Sequence, residues 1–199
     1  LVGELDIAET ALQFGVAGGQ TVTIEGGVRN EGSIAVLANN ANATAVRFAA
    51  GAKTPTMINT GTISAGGATD GADQITTIQI ETGANVASIN NDGVISATAS
   101  GGKANTTAIA DLSGSLTSIT NTRSIQANVS ANAAGDAITG KATAIDVSAN
   151  TAGVTFTQKG IAGTATTVDP DTDGDGVTDS REPMTFGDIK LGSGADLLD

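Results

Sequence analysis

Apolar and polar residues alternate along this chain in short runs, and the runs return at a constant register. One run reads apolar-x-Asn-x-Gly-x-Ile. It occurs as Val28-Arg29-Asn30-Glu31-Gly32-Ser33-Ile34, as Met57-Ile58-Asn59-Thr60-Gly61-Thr62-Ile63 and as Ile89-Asn90-Asn91-Asp92-Gly93-Val94-Ile95. It returns with Arg in the Gly place as Ile119-Thr120-Asn121-Thr122-Arg123-Ser124-Ile125, and a degraded copy stands at Phe156-Thr157-Gln158-Lys159-Gly160-Ile161. The copies begin 29, 32, 30 and 37 residues apart. A second run lies between them, at Thr44–Phe48, Thr76–Ile80, Thr107–Ile109 and Thr143–Val147. An apolar residue at every second position is the period of a strand with one face buried.

Two sides of each repeat behave differently. From Gly51, Gly83, Gly114 and Asn150, which follow the second run, the next copy of the first run starts after 6, 6, 5 and 6 residues. From the Ile closing the first run to the Val or Ile of the second takes 12, 15, 14 and 20. One side is therefore fixed in length and the other elastic, with loops such as 66–71 leaving there. Asn bonds nearby backbone and Gly accepts positive φ, so the Asn-x-Gly elements supply turns. Strands joined by turns and repeated every ~30 residues predict an all-β parallel β-helix, a β-solenoid in which each coil pairs with the next. Asn30, Asn59, Asn91 and Asn121 then stack as an internal ladder. An antiparallel sandwich has the same alternation but does not repeat its sequence at constant register. The division that follows is 1–19, an N-terminal cap or the end of a preceding coil; 20–167, solenoid repeats; 168–186, an acidic loop; and 187–199, the start of a further solenoid segment. Within the first part, Leu5–Phe14 fits a short helix or a coil end equally well.

Composition explains how so thin a coil is filled. The 199 residues include no Cys, His, Trp or Tyr, only 4 Phe, and 27 Gly. Ile, Val, Ala and stacked Asn suit a narrow interior, and a slightly positive mean hydropathy argues against disorder. Without His or Cys there is no Ser-His-Asp or Cys-His nucleophile, no zinc site of the usual kind and no haem ligation by these residues. Without aromatics or a basic surface there is no platform for nucleic acid. A non-enzymatic protein with no catalytic residue is expected. No stretch is long and apolar enough to cross a membrane. The chain opens on Leu1, which reads as a mature or excised piece of something longer, and the absence of Cys fits export in an unfolded state.

Charge singles out the other end. Of the formal −12, residues 169–199 carry −7, with nine of the 21 acids and only Arg181 and Lys190 as bases. There, Asp171-Thr172-Asp173-Gly174-Asp175-Gly176-Val177-Thr178-Asp179-Ser180-Arg181-Glu182 places side-chain oxygens at loop positions 1, 3, 5, 9 and 12. The Val177 carbonyl falls at position 7 and Gly176 at the sharp turn. That is the spacing of a calcium loop, so Asp171, Asp173, Asp175, Val177, Asp179 and Glu182 are the candidate Ca2+ ligands. The competing reading is a solvated acidic linker. Pro170 and Pro183 bracket the loop and no amphipathic helix flanks it, which speaks against a paired EF-hand. In the tail, Gly192, Gly194, Asp196 and Leu198 match the calcium nonapeptide G-G-x-G-x-D-x-U-x, with Leu191 replacing its first Gly; a single copy lacks the second turn that holds the ion.

The recurrent Asn-x-Gly-x-Ile in a Cys-free chain rich in Gly, Ala, Thr and Asn, over residues 20–165, resembles the passenger region of bacterial autotransporters and related β-helical surface proteins. The Asp-rich segment resembles the calcium repeats of thrombospondin type 3. These resemblances imply export, an extracellular or cell-surface location, and attachment to the outer membrane only through a region outside this chain. They imply a rod-like adhesin or scaffold that stacks end to end or into a surface layer or filament and takes a host or surface glycan or protein as ligand. The alternative is a polysaccharide-active β-helix of the lyase type using Asp92, Asp111 or Asp146, although no aromatic side chain other than Phe is present to stack a sugar. Thr21/Thr23, Thr60/Thr62 and Thr155/Thr157 do not share one register, as a flat ice-binding Thr array requires.

Overall fold

The computed structural model describes residues 8–199. The chain winds through three parallel sheets in turn. The first face stacks β1 (Glu9–Phe14), β5 (Ala43–Phe48), β8 (Gln74–Ile80), β11 (Asn105–Asp111), β14 (Ala142–Asp146) and β17 (Asp188–Lys190). The second stacks β2 (Val22–Thr23) and β3 (Val28–Asn30) on β6 (Ala52–Asn59), then β9 (Asn85–Asn91), β12 (Ser118–Asn121), β15 (Thr155–Gln158) and β18 (Leu197–Leu198). The third stacks β4 (Ser33–Asn39), β7 (Thr62–Ala68), β10 (Val94–Ser100), β13 (Ser124–Ser130) and β16 (Met184–Phe186). The fold is a parallel β-solenoid, as the repeats predict. Residues 5–7 of the ambiguous Leu5–Phe14 segment lie outside the described residues; Glu9–Phe14 is a strand paired with β5.

Constant register is what makes one core out of many thin coils. On the third face, Ile34, Ile63, Ile95 and Ile125 occupy one inward column. The second face lines up Val28, Met57, Ile89, Ile119, Phe156 and Leu198. The first contributes Leu12, Val46, Ile78, Ile109, Ile145 and Ile189. Ile63, Ile95 and Ile125 are buried completely, each worth about 1.5–3 kcal/mol of burial. In the first coils Phe14 lies on Phe48 with ring centroids 5.0 Å apart, and Phe156 fills the second-face column near the other end.

The corners obey different rules. Between the first and second faces, Gly51, Gly83, Gly114 and Gly153 all have positive φ, from +69° to +104°. The fourth positive-φ residue is Gly153 and not Asn150, which instead is buried and donates through its amide to the carbonyls of Gly114 and Leu116 (3.1 and 2.6 Å). Between the second and third faces lies the Asn-x-Gly corner, and here the expected use of positive φ by Gly is not what is found. Neither Gly61 nor Gly93 has a positive φ, but a Cβ at either would fall 2.0 Å from a glycine carbonyl of the preceding coil. Glycine is needed at those two positions for close approach, whereas Gly32 has open space and the next coil carries Arg123.

Beside those glycines runs the predicted ladder. Asn30 donates to Asn59, Asn59 to Asn91 and Asn91 to Asn121, each Nδ2–Oδ1 distance being 2.8 Å. Every amide points the same way along the axis. Each also donates to the carbonyl two residues on, so that the side chain closes its own turn while joining the next one.

Candidate metal centre

At the Asn corner of the last coils the chain departs from the pattern. Gln158 ends β15 and Met184 begins β16, so residues 159–183 form an excursion between the second and third faces. Sequence spacing placed the end of the solenoid at 167 and a junction beyond it. The structure corrects this: winding resumes at Met184 and continues through β17 and β18, so the acidic loop stands out from a corner and does not interrupt the stack. The tail likewise packs as a coil. A Cβ on Gly192 would lie 1.9 Å from the Asn150 carbonyl, and the Asp196 carboxylate accepts the Val154 N–H at 2.8 Å.

Inside the excursion the chain folds back on itself. The Gly163 N–H bonds the Gly176 carbonyl at 3.0 Å and the Asp179 N–H bonds the Pro170 carbonyl at 2.8 Å. Val177 is buried against Gly160, where any Cβ would come within 2.6 Å of its Cγ2. Gly174 and Gly176 adopt φ of +78° and +90°, the reversal that the loop spacing requires. This brings the carboxylates of Asp171, Asp173 and Asp175 to within 4.8 Å of one another.

Each of those carboxylates is also steered by backbone. Asp171 accepts the N–H groups of Gly174 (2.7 Å) and Gly176 (3.0 Å), Asp173 that of Asp175 (3.3 Å), and Asp175 that of Val177 (2.7 Å). Glu182 lies close enough to feel them. Partial desolvation, followed by the charges of Asp175, Asp173, Asp179 and Asp171, pushes its carboxyl above the ordinary glutamate range. Asp179 is turned elsewhere: it accepts both the N–H and the hydroxyl of Thr172, at 2.9 and 3.1 Å. Of the six predicted ligands, the structure gathers Asp171, Asp173 and Asp175, sets Glu182 in their field, engages Asp179 with Thr172 and buries the Val177 side chain.

Asp169 is the residue the loop spacing did not single out. Its carboxylate accepts the Ser180 hydroxyl at 2.7 Å and the Ser180 N–H at 3.0 Å, tying the start of the loop to its end. The Ser180 hydroxyl is the main cause holding the Asp169 carboxyl below its ordinary range. Only its place two residues before the loop hinted at this.

The acids considered for catalysis occupy separate places. Asp111, buried at the first-to-second corner, accepts the N–H groups of Ser113, Gly114 and Leu116 at 2.9–3.0 Å. Asp146 pairs with Lys190 on the first face at 3.0 Å. Asp92 sits in an Asn-corner turn and accepts the Thr122 hydroxyl at 2.8 Å. Comparison of the chain with protein-family models, with curated proteins and with solved structures gives no match.

Proposed function

We propose that this chain is a rod segment of a bacterial surface or secreted protein, a non-enzymatic adhesin or scaffold, and that its acidic excursion binds calcium. The observation that carries the metal reading is the convergence of three carboxylates, at alternate positions, around two positive-φ glycines. Like charges so close repel one another, and a hard divalent cation that prefers oxygen ligands offsets that repulsion. Asp171, Asp173 and Asp175 supply the first oxygens. Glu182 moves in to complete the set, and binding draws the two ends of the excursion together.

The scaffold reading rests on the geometry of the stack. The outer edges of β16, β17 and β18 have no strand partner among the described residues, while Met184, Phe186, Leu197 and Leu198 around them are exposed. Such edges and apolar ends favour addition of further coils, from this protein or from a second copy. Surface display and assembly follow the resemblance to autotransporter passengers.

Calorimetric titration with CaCl2, alongside thermal unfolding with and without EDTA, tests the metal reading. Saturable heat and a rise in Tm are expected, both abolished in the triple variant D171N/D173N/D175N. No heat and no shift in the unmodified chain overturns it. Electron microscopy of the rods with and without calcium tests assembly, and particles that remain single under both conditions count against it.

A further inference from the structure

The excursion does more than carry acids. It leans back over the turns of the Asn corner and encloses a cleft of about 390 Å³ against them, lined among others by Thr60, Asp92, Thr122, Arg123, Ile161 and Arg181. That volume falls in the range of small-molecule sites, about 300–1,000 Å³. Arg123 is held there by donating from Nη1 to the Ser180 carbonyl at 3.1 Å.

Two facts set this cleft apart from the rest of the surface. The chain has four arginines. Arg29 and Arg47 are paired with Glu31 and Glu81, whereas Arg123 and Arg181 have no ion-pair partner among the described residues, and both line this one cleft. Arg123 also breaks the repeat: it stands where the other copies have Gly32, Gly61 and Gly93. In a chain of net charge −12, two guanidinium groups without a salt-bridge partner among the described residues line one cleft, and one of them stands where the other repeats have glycine.

The geometry points to a binding site for a carboxylated saccharide, such as a uronate, in this cleft. Guanidinium groups recognise carboxylates through paired N–H donors. Around them the cleft supplies acceptors for ligand hydroxyls: the Asp92 carboxylate, and the Thr60 and Thr122 oxygens, whose own protons go to the Asn30 carbonyl and to Asp92. A ligand with one carboxylate and several hydroxyls uses all of these, and the half-exposed Ile161 side chain covers the carbon face of the ring. Successive turns rise by about 4.8 Å, so Thr60, Asp92 and Thr122, on three successive turns, are spaced along the floor at the scale of one sugar ring. An acidic peptide uses the arginines but brings no hydroxyl for Asp92 and the Thr oxygens to accept from. The proposal needs no metal and stands or falls apart from the calcium reading.

The test is a titration of the whole chain with digalacturonate in EDTA, so that no divalent ion bridges the ligand to Asp171–Asp175. It is followed by calorimetry and by the amide NMR signals of Thr60, Asp92 and Thr122. The neutral disaccharide galactobiose and a Glu-Glu dipeptide serve as controls. Digalacturonate is expected to bind at least about tenfold more tightly than either control, and R123G and R181S are each expected to weaken it about tenfold, the scale of one charge-assisted contact. R123G restores the residue of the other repeats and R181S alters an exposed position, so the unperturbed amide spectrum of each verifies folding. Absence of digalacturonate binding, binding unchanged in both variants, or equal binding of the dipeptide overturns the assignment.

Discussion

Replacing Asn91 by Ala removes the middle rung of the amide ladder and measures what the ladder is worth. Asn91 is fully buried. Its Nδ2 reaches Asn121 Oδ1 at 2.8 Å and the carbonyls of Gly93 and Ser124 at 3.0 Å, while its Oδ1 accepts from Asn59 at 2.8 Å. Truncation breaks both ladder bonds, each contributing about 0.5–1.5 kcal/mol net, and strips a donor from the Gly93 carbonyl, which keeps the Ser124 N–H at 3.1 Å, and from the Ser124 carbonyl, at about 1–3 kcal/mol where burial leaves it unsatisfied. Asn59 keeps contacts to Gly61 and Val94, and Asn121 keeps the Arg123 N–H, so neither amide is stranded completely. The expected loss is about 3–5 kcal/mol. Asn30, at the start of the ladder, makes one such bond, so N30A should cost about 1–2 kcal/mol. N91D adds a test of direction. Its carboxylate accepts from Asn59 but faces Asn121 Oδ1 and two carbonyls with no proton to give, so its folded-state pKa is raised and stability should recover as pH falls through that value. Urea unfolding followed by circular dichroism at several pH values reads all three variants. A cost for N91A below about 1 kcal/mol, equal costs for N30A and N91A, or a pH-independent N91D would refute a directional, buried ladder.

Three further outcomes are expected. G93A should destabilise by several kcal/mol because its Cβ meets the Gly61 carbonyl, whereas G32A, with no atom within 4 Å of the added methyl, should stay within about 0.5 kcal/mol of the parent in the same urea assay. Because the Glu182 carboxyl sits above its usual range, it takes up a proton at higher pH than an ordinary glutamate; calcium binding in mildly acidic buffer should therefore release protons, and calorimetry in buffers of different ionisation enthalpy should show E182Q to release fewer. Burial raises the Asp146 pKa, but the Ser148 hydroxyl and Lys190 outweigh it and hold the group below its ordinary range, so it contributes stability above that range that is lost as pH falls through the lowered value. The pair is partly exposed, so D146N should trim the acid side of the stability–pH curve by well under about 1 kcal/mol, and less still in high salt.

The solenoid was legible because its determinants are local and repeated. Asn recurs before each Asn-corner turn because a short amide reaches both its own turn and the next coil, and Ile recurs four places on because one column of the core has room for it. The excursion's position was not legible, and the reason lies in Met184-Thr185-Phe186. This segment pairs with β13 but carries no Asn-x-Gly, and Thr185 fills the column held by Ile125. With the motif gone, spacing had nothing to register, and the last coil read as the start of a separate solenoid segment. The first-to-second corner was half legible. Spacing put Asn150 in a glycine's place, whereas Asp111 and Asn150 are both side-chain caps with a positive-φ glycine three residues later, at Gly114 and Gly153. At the acidic loop, alternation brings the carboxylates of Asp171, Asp173 and Asp175 within 4.8 Å of one another. Asp179 escaped because Thr172 offers it two donors at short range, a competition that ligand spacing does not encode.

Gln158 explains how a long excursion interrupts the tightest corner without loss of register. In the earlier coils the ladder residue is Asn, and its turn returns to the third face within three residues, so the short amide is enough. Here the returning strand starts 26 positions after Gln158, at Met184, and something other than a turn must bring it back. The extra methylene of Gln158 lets one amide do both jobs. Its Oε1 accepts from Asn121 at 3.2 Å, ending the ladder, and from the Thr185 hydroxyl at 2.5 Å, while its Nε2 points to the Pro183 carbonyl at 3.4 Å. The two sides of the neck are then tied to the coil beneath them: the Lys159 N–H bonds the Asn121 carbonyl at 3.1 Å and the Met184 N–H bonds the Arg123 carbonyl at 2.6 Å. The clamp separates two requirements. Strand pairing is set at the neck, so residues 160–182 can vary in charge and length without disturbing the core. That makes this corner the place where the rod can carry a metal loop and a cleft, and it accounts for finding the candidate calcium ligands and the two unpaired arginines on the same excursion and the turn below it.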